Sequence, residues 1–291
     1  MKYFALAYLA FFLLTPGLRA AEESAAPKLI VHFLDVRQGD STLIQTPGGK
    51  TILIDGGQSS TYKSPFDAGG EVILPYLERL GIKRLDMIVA THPDFDHMGG
   101  LGTVLKSNIE VGEVIDCGIP HTTQTYQTYT NEVARRKIPL TVAEGGEILD
   151  WGDGVRAQIL APQGPPAQRS HMNLNNSSVV IRLEHDDVSF LLTGDCEHEE
   201  EDVILSSGAF IKSDILKAGH HGSRTASGPS FYFLADPEAV IISAGKRNKF
   251  SHPHPEPLKL FEETGTRIYR TDHSGTIVIT SDGKDYTVSY D

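Results

Sequence analysis

An α/β fold is predicted by three features of this sequence. Short β-branched and apolar runs alternate along the chain with stretches of helical spacing. Glycine and proline turns bound those runs. Several runs end on a turn carrying Asp, His or Asn, and turns held on a rigid scaffold are where function concentrates. At 291 residues, with 40% hydrophobic and 22% charged content, the chain is long enough for one domain with a full core.

The first twenty residues are different in kind. Lys2 precedes the apolar run Phe4 to Leu14, then Thr15-Pro16-Gly17 and the small residues Ala20-Ala21. This pattern predicts a secretory signal peptide over 1–20, with one domain over 21–291. The apolar run is too short to anchor the chain comfortably, no lipidation cysteine follows it, and no later segment reads as a transmembrane helix. Cleavage would remove Lys2 and Arg19 but no acid, taking the net charge from −12 to −14. The expected product is soluble, acidic, and secreted or periplasmic. Cys117 and Cys196 would meet an oxidising compartment, where one disulfide and two buried thiols are both open. The absence of a CxxC pair excludes a structural zinc knuckle.

Leu29 to Asp35, Ser41 to Thr46 and Lys50 to Asp55 read as three strands, the last two joined by a tight turn at Pro47-Gly48-Gly49. The third ends in Asp55-Gly56-Gly57, which makes Asp55 a candidate to orient a ligating histidine. Glu71 to Leu80 carries Val72, Leu74, Leu77 and Leu80 near helical spacing and stops at Gly81. Leu85 to Ala90 is a buried strand, Gly99 to Lys106 a short helix, Glu113 to Asp116 a strand, and Tyr126 to Lys137 an amphipathic helix. Gly164 to Ser170 reads as a surface loop. Ser177 to Leu183, Val188 to Leu192, Asp214 to Ala218 and Ala239 to Ser243 are further strands, and polar turns at Asp195, at His220-His221 and at Gly245 to His254 follow the last three.

Between the Leu85 strand and the next helix lies His92-Pro93-Asp94-Phe95-Asp96-His97, with four potential metal ligands in six positions. A strand-to-helix loop can aim imidazoles and carboxylates at one point, and that donor pair suits a divalent transition metal. A polar turn in which Asp96 caps the helix is the simpler alternative; the other polar strand ends favour a site.

The motifs THPDFDHMGGL, ILIDGG, NNSSVVIRL, LLTGD, LKAGHHGS, FLDVRQGDS and the Asn248 to Pro253 element resemble the metallo-β-lactamase superfamily. They are closer still to the branch formed by the C-terminal domain of ComEC/Rec2 DNA-uptake proteins and its stand-alone relatives. The resemblance runs from about Leu29 to the C-terminus. It implies a four-layer αββα sandwich with one or two divalent ions, Zn or Mn, at one edge of the sheets. His92 and Asp94 would hold one ion; Asp96, His97 and one of His220 and His221 would hold the other, with Asp195 bridging. Of the pair, His220 is taken as the ligand and His221 as the group that protonates the leaving atom. Asp96 would orient the attacking water. Asn176, Ser223, Asn248 and His252 are candidate polar contacts to substrate.

Two departures matter. Asp94 stands where the commonest superfamily loop has a second His, and the next ligating His falls at Asn175 or Asn176. The first metal position is thereby harder, which makes Mn²⁺ or Mg²⁺ competitive with Zn²⁺ and argues against β-lactam hydrolysis. Arg37 replaces a glycine usual in that branch and is expected to be a surface substitution.

Charge points to the substrate class. Lys217 and Arg224 bracket the His pair, and Lys246, Arg247 and Lys249 share with Asn248 the loop before His252. Cations beside a metal centre suit an anionic phosphate better than a neutral acyl group, whereas the acidic total argues against stable duplex binding. The leading expectation is an extracytoplasmic phosphodiesterase, including a nuclease on short or single-stranded nucleic acid. A hydrolase of esters, thioesters or lactones, and a non-catalytic binding protein of the same fold, are the alternatives.

Overall fold

The computed structural model describes residues 27–61, 64–169 and 173–291. The expected leader lies outside the described residues. Two sheets are built from the alternating runs. The first has eight strands in the spatial order β15 (Tyr286–Tyr290), β14 (Ile277–Ser281), β1 (Leu29–Phe33), β2 (Thr42–Gln45), β3 (Thr51–Ile54), β4 (Arg84–Ala90), β5 (Glu110–Asp116) and β6 (Leu140–Val142). The second has seven, in the order β13 (Arg267–Arg270), β12 (Ala239–Ile242), β11 (Ile215–Lys217), β10 (Val188–Leu192), β9 (Val180–His185), β8 (Arg156–Ala161) and β7 (Ile148–Leu149).

Period-two alternation decides which layer each side chain joins. Leu29, Val31 and Phe33 of β1, with Met87 and Val89 of β4, meet Ile181, Leu183, Phe190 and Ile241 of the second sheet in one buried cluster. From the opposite face of the first sheet, Leu43, Leu53, Ile88 and Val114 pack on α1 (Leu74–Arg79), α3 (Leu101–Lys106) and α4 (Gln124–Arg136) through Leu77, Val104 and Tyr129. The outer face of the second sheet carries Val180, Leu191, Leu216 and Val240 under α6 (His198–Ser206), α7 (Pro229–Ala235) and α8 (Pro255–Glu263), which contribute Ile204, Phe231 and Phe261. The result is the αββα sandwich.

The elements behave as their chemistry asks, with exceptions. Helix α4 starts where the Thr123 hydroxyl accepts from the Tyr126 N–H at 3.3 Å, and it ends on Lys137 in the left-handed region. The predicted loop at Gly164 to Ser170 instead holds a short helix, α5 (Pro166–Arg169), because Arg169 turns inward and donates to the Cys117 carbonyl at 3.0 Å. Ser170 itself is outside the described residues. Cys117 and Cys196 are both buried and form no disulfide. Among the described residues no helix is long and apolar enough to cross a membrane. Arg37 is exposed as expected, and its φ of 65° explains why glycine is the easier residue there; the guanidinium lies 3.7 Å over the Phe66 ring.

One buried acid on α6 should mark stability. Glu200 is 2% exposed, and burial pushes its pKa well above the usual glutamate range, against the opposing pull of Cys196 and Arg169. A carboxyl raised on folding contributes stability that is full below its unfolded pKa and is lost as the pH rises through the folded value. Glu200→Gln is therefore expected to match the wild type near about pH 4 and to exceed it by about pH 8, read as the difference in urea midpoints. A difference that does not change with pH would mean Glu200 is ionised in the fold.

Candidate metal centre

Strands β3 to β6 run parallel, as do β10 to β13, so their carboxyl ends gather loops at one edge. Asp55 follows β3, His92 to His97 follow β4, Asp195 follows β10, and His220 and His221 follow β11. The sequence places Asp96 and His97 on a loop before a helix starting at Gly99, whereas the helix begins earlier, as α2 (Phe95–Met98). Gly99 and Gly100 do not start it. They keep helical angles and are needed for close packing, since a Cβ would fall 2.3 Å from the Ser59 nitrogen and 2.1 Å from the Gly56 oxygen.

Three imidazoles share one hydrogen-bond logic. His97 Nδ1 lies 2.8 Å from Asp55 Oδ2, and His221 Nδ1 lies 3.0 Å from the Ser243 carbonyl oxygen. Both partners only accept, so Nδ1 carries the proton in each ring. Thr91 gives its hydroxyl proton to Asp55 Oδ2 at 2.7 Å, and so receives one from His92 Nδ1 at 3.1 Å. In the neutral rings the remaining nitrogen, Nε2, is then the lone pair aimed at the cluster. All three Nε2 atoms are buried without a hydrogen-bond partner, as is Asp195 Oδ1. An unpaired buried acceptor costs about 1–3 kcal/mol, and four at one place require a cation to be tolerable.

Distances converge on the same point. His97 Nε2 and His221 Nε2 lie 3.1 Å and 3.3 Å from Asp195 Oδ2, and His221 Nε2 lies 3.4 Å from Asp96 Oδ2. Asp40, His97, Asp195 and His221 each offer an atom within 4.8 Å of the others, and all four are buried. His92 Nε2 faces Asp94 Oδ2 at 3.7 Å beside this group, the His92 and His97 ring centroids being 4.2 Å apart. Burial works to lower the pKa of His97 and His221, yet Asp195 with Asp55, and Asp195 with Asp40, outweigh it and hold both well above the imidazole range. Burial likewise opposes charge on Asp195, and the two imidazoles drive it well below the carboxylate range. A cluster that binds protons this strongly offers the donor set and negative potential that a divalent ion requires.

The other expected residues are placed as follows. His220 stands off the cluster: its Nδ1 donates to Glu197 Oε1 at 2.9 Å, its Nε2 is 3.8 Å from Asp195, and its side chain is 26% exposed. The geometry thus exchanges the positions expected for His220 and His221. Asn176 is spent on α6, accepting from the Glu197 N–H at 3.0 Å and donating to Glu199 at 3.1 Å. Ser223 bonds Thr225 at 2.8 Å, and Asn248 closes its own loop onto Gly245 and His252, so neither is turned to substrate. His252, before a cis Pro253, packs its ring 5.1 Å from His220 and 6.0 Å from His221; burial and those neighbours push its pKa down to about 4. Lys246, Arg247 and Lys249 are exposed. Lys217 flanks the site but does not face a substrate, being 3% exposed and paired with Asp40, and Arg224 lies in solvent 3.6 Å from Glu256.

Two participants were not assigned from sequence. Asp40 reaches the cluster because Gly39 precedes it at φ 133°, where a Cβ would sit 2.2 Å from the Asp96 oxygen. Its signal was a carboxylate on a glycine turn, the same signal read at Asp55 and Asp195. Glu197, which holds His220, had no signal beyond lying two residues after Asp195.

A family model described as the metallo-beta-lactamase superfamily matches residues 34–246. Among curated relatives, ComE operon protein 3 of Bacillus subtilis is 35% identical over 258 residues, covering 85% of this chain and 32% of that protein. Recombination protein 2 of Haemophilus influenzae is 32% identical over 256 residues, covering 88% of this chain and 29% of that protein. The chain thus spans about a third of the length of these relatives. Among solved structures, a mutant of the CmlA beta-hydroxylase aligns with a TM-score of 0.55 at 14% identity, over 86% of this chain and 53% of that one. The metallo-beta-lactamase fold protein YhfI from Bacillus subtilis aligns at 0.50 and 11% identity, over 87% of this chain and 100% of that one. Both likenesses concern the fold alone.

Proposed function

We propose that this chain, which belongs to the metallo-β-lactamase superfamily, is a phosphodiesterase that works outside the cytoplasmic membrane, and that its metal centre is the His92, His97, His221 and Asp195 cluster. The fold is that of metal-dependent hydrolases. The observation that carries the metal centre is the set of three buried Nε2 lone pairs, each fixed by an oriented Nδ1–H. Asp94 beside His92, and Asp40 and Asp96 beside His221, make the donor set rich in oxygen, which suits Mn²⁺ as well as Zn²⁺. A divalent ion held by these residues would supply Lewis acidity toward a phosphoryl oxygen and would make water acidic enough to attack near neutral pH.

The protein's own groups do the rest. Asp55 and the Ser243 carbonyl hold His97 and His221 in register. Asp96, partly open, is placed to accept a hydrogen bond from the attacking water and orient it. His220 is oriented by Glu197 and reaches solvent, so it is positioned to give a proton to the leaving oxygen. Lys246, Arg247 and Lys249 supply the attraction for a phosphate in a chain whose net charge is −12.

Metal analysis of the purified protein, with assays on bis-p-nitrophenyl phosphate, single-stranded DNA and a p-nitrophenyl ester, tests this reading. Turnover of the phosphodiesters should be supported by Mn²⁺ at least as well as by Zn²⁺, and chelation should abolish it. A protein inert on every phosphodiester that cleaves the neutral ester would overturn it. Replacing Lys246, Arg247 and Lys249 together with Ala should raise KM with little change in kcat, because those cations bind ground and transition states alike. For a single-stranded substrate the slope of log affinity against log salt should fall by about 2 for the three lost cations.

A further inference from the structure

Phe250 is a large aromatic side chain left 47% exposed beside the proposed centre, and nothing in the core requires it there. Its ring stacks on His252 with centroids 5.6 Å apart and planes 23° from parallel. His252 in turn packs against His220 and His221, so Phe250 stands one ring beyond the metal cluster. The loop that carries it is fixed. Asn248 donates to the Gly245 and His252 carbonyls at 2.9 Å and 2.6 Å, and its oxygen accepts from the Phe250 and His252 N–H groups at 3.1 Å and 2.9 Å. An aromatic ring held this way loses little freedom when something stacks on it.

One cation lies over the ring and two more share its loop. Lys249 Nζ lies 4.7 Å from the Phe250 centroid, and Lys246 and Arg247 are exposed without an ion pair among the described residues. We infer that Phe250, backed by His252, is a stacking shelf for an unpaired base, so that the natural substrate of the site is a short stretch of single-stranded nucleic acid. This rests on the phosphodiesterase reading above and deepens it. An aromatic platform alternating with backbone-facing cations is how strands are held without regard to sequence. In a duplex the base faces are covered by their neighbours, so the shelf has nothing to receive. A stacked base displaces the flexible Lys249 chain from the ring and leaves its ammonium beside the adjoining phosphate. The chain's acidic balance limits the track to a few nucleotides.

The test is binding, measured in chelator so that no cleavage occurs. A fluorescein-labelled oligothymidylate is titrated with the full chain and read by anisotropy. Phe250→Ala should weaken binding about 5- to 100-fold, the range a lost base–aromatic contact covers, while Phe250→Trp should retain it. An abasic oligomer of the same length should bind wild type as weakly as the thymidylate binds Phe250→Ala. Equal binding of thymidylate by wild type and Phe250→Ala, equal binding of the abasic oligomer, or equal competition by polyglutamate would each overturn the shelf; the last would make the loop a site for acidic peptide. Failure of the phosphodiesterase reading shows separately, as the absence of metal-dependent turnover of bis-p-nitrophenyl phosphate.

Discussion

His221→Ala should purify with far less divalent metal than the wild type, whereas His220→Ala should keep its metal and lose turnover. The two histidines are adjacent, and only geometry separates them. His221 is 1% exposed with its Nε2 buried and unpartnered among Asp195, Asp96 and His97, so truncating it removes a donor and leaves the carboxylates facing one another. The loss of metal affinity should exceed the roughly 10- to 100-fold that removal of a partner merely orienting a ligand brings. Asp55→Asn removes such a partner, the acceptor of the His97 Nδ1 proton, and should fall within that range. His220, held by Glu197 at the open side, can lose its ring without disturbing the donors. Its removal should lower kcat by about 10²- to 10⁴-fold, as loss of a positioned acid does, with metal content unchanged. Metal measured by mass spectrometry and kcat on bis-p-nitrophenyl phosphate decide the matter. The opposite pattern, metal lost with His220 and kept with His221, would return the ligand role to His220.

That exchange shows where reading from sequence stops. The strands around the site were legible because each is an apolar run closed by a glycine turn, and the polar residues at their ends named Asp55, His92, His97 and Asp195 as candidates. Spacing could not say which of two consecutive histidines turns inward. Both take left-handed angles, φ 45° and 55°, and that conformation is imposed by contacts made elsewhere in the chain. Asn248 was read as a group facing substrate because it lies in a basic loop, yet all four of its bonds close that loop. Helix α6 was missed because HEEEDVILS opens on five polar residues and buries only Ile204 among its aliphatics. Strand β14 was missed for a different reason. It pairs with β1, Leu29 opposite Ser281, so its place depends on residues at the far end of the chain, which no local pattern can report.

The largest stability effect is expected at Lys217, a residue first read as one of the cations flanking the site. Its ammonium is 3% exposed, pairs with Asp40 and donates to the Gly194 carbonyl at 3.1 Å. Burial opposes charge on Asp40, and Lys217 followed by His221 overcomes it, so the carboxyl is held below its ordinary range. Lys217→Met keeps the length and apolar stem of the side chain but strands a buried carboxylate, which should cost about 3–5 kcal/mol in metal-free protein at neutral pH. A carboxyl depressed on folding contributes stability above its unfolded pKa and loses it as the pH falls through the folded value. In the variant that depression is largely gone, so its deficit against wild type should be greatest at neutral pH and shrink as Asp40 becomes protonated through the carboxylate range. The double variant Asp40→Asn with Lys217→Met should recover much of the loss, since removing both charges costs less than leaving one alone. Urea unfolding of the three proteins in chelator, at neutral and at acid pH, reads all of this. A Lys217→Met deficit below about 1 kcal/mol, the value of an exposed pair, would mean that water reaches Asp40 and that the pair is not sealed beneath the metal cluster.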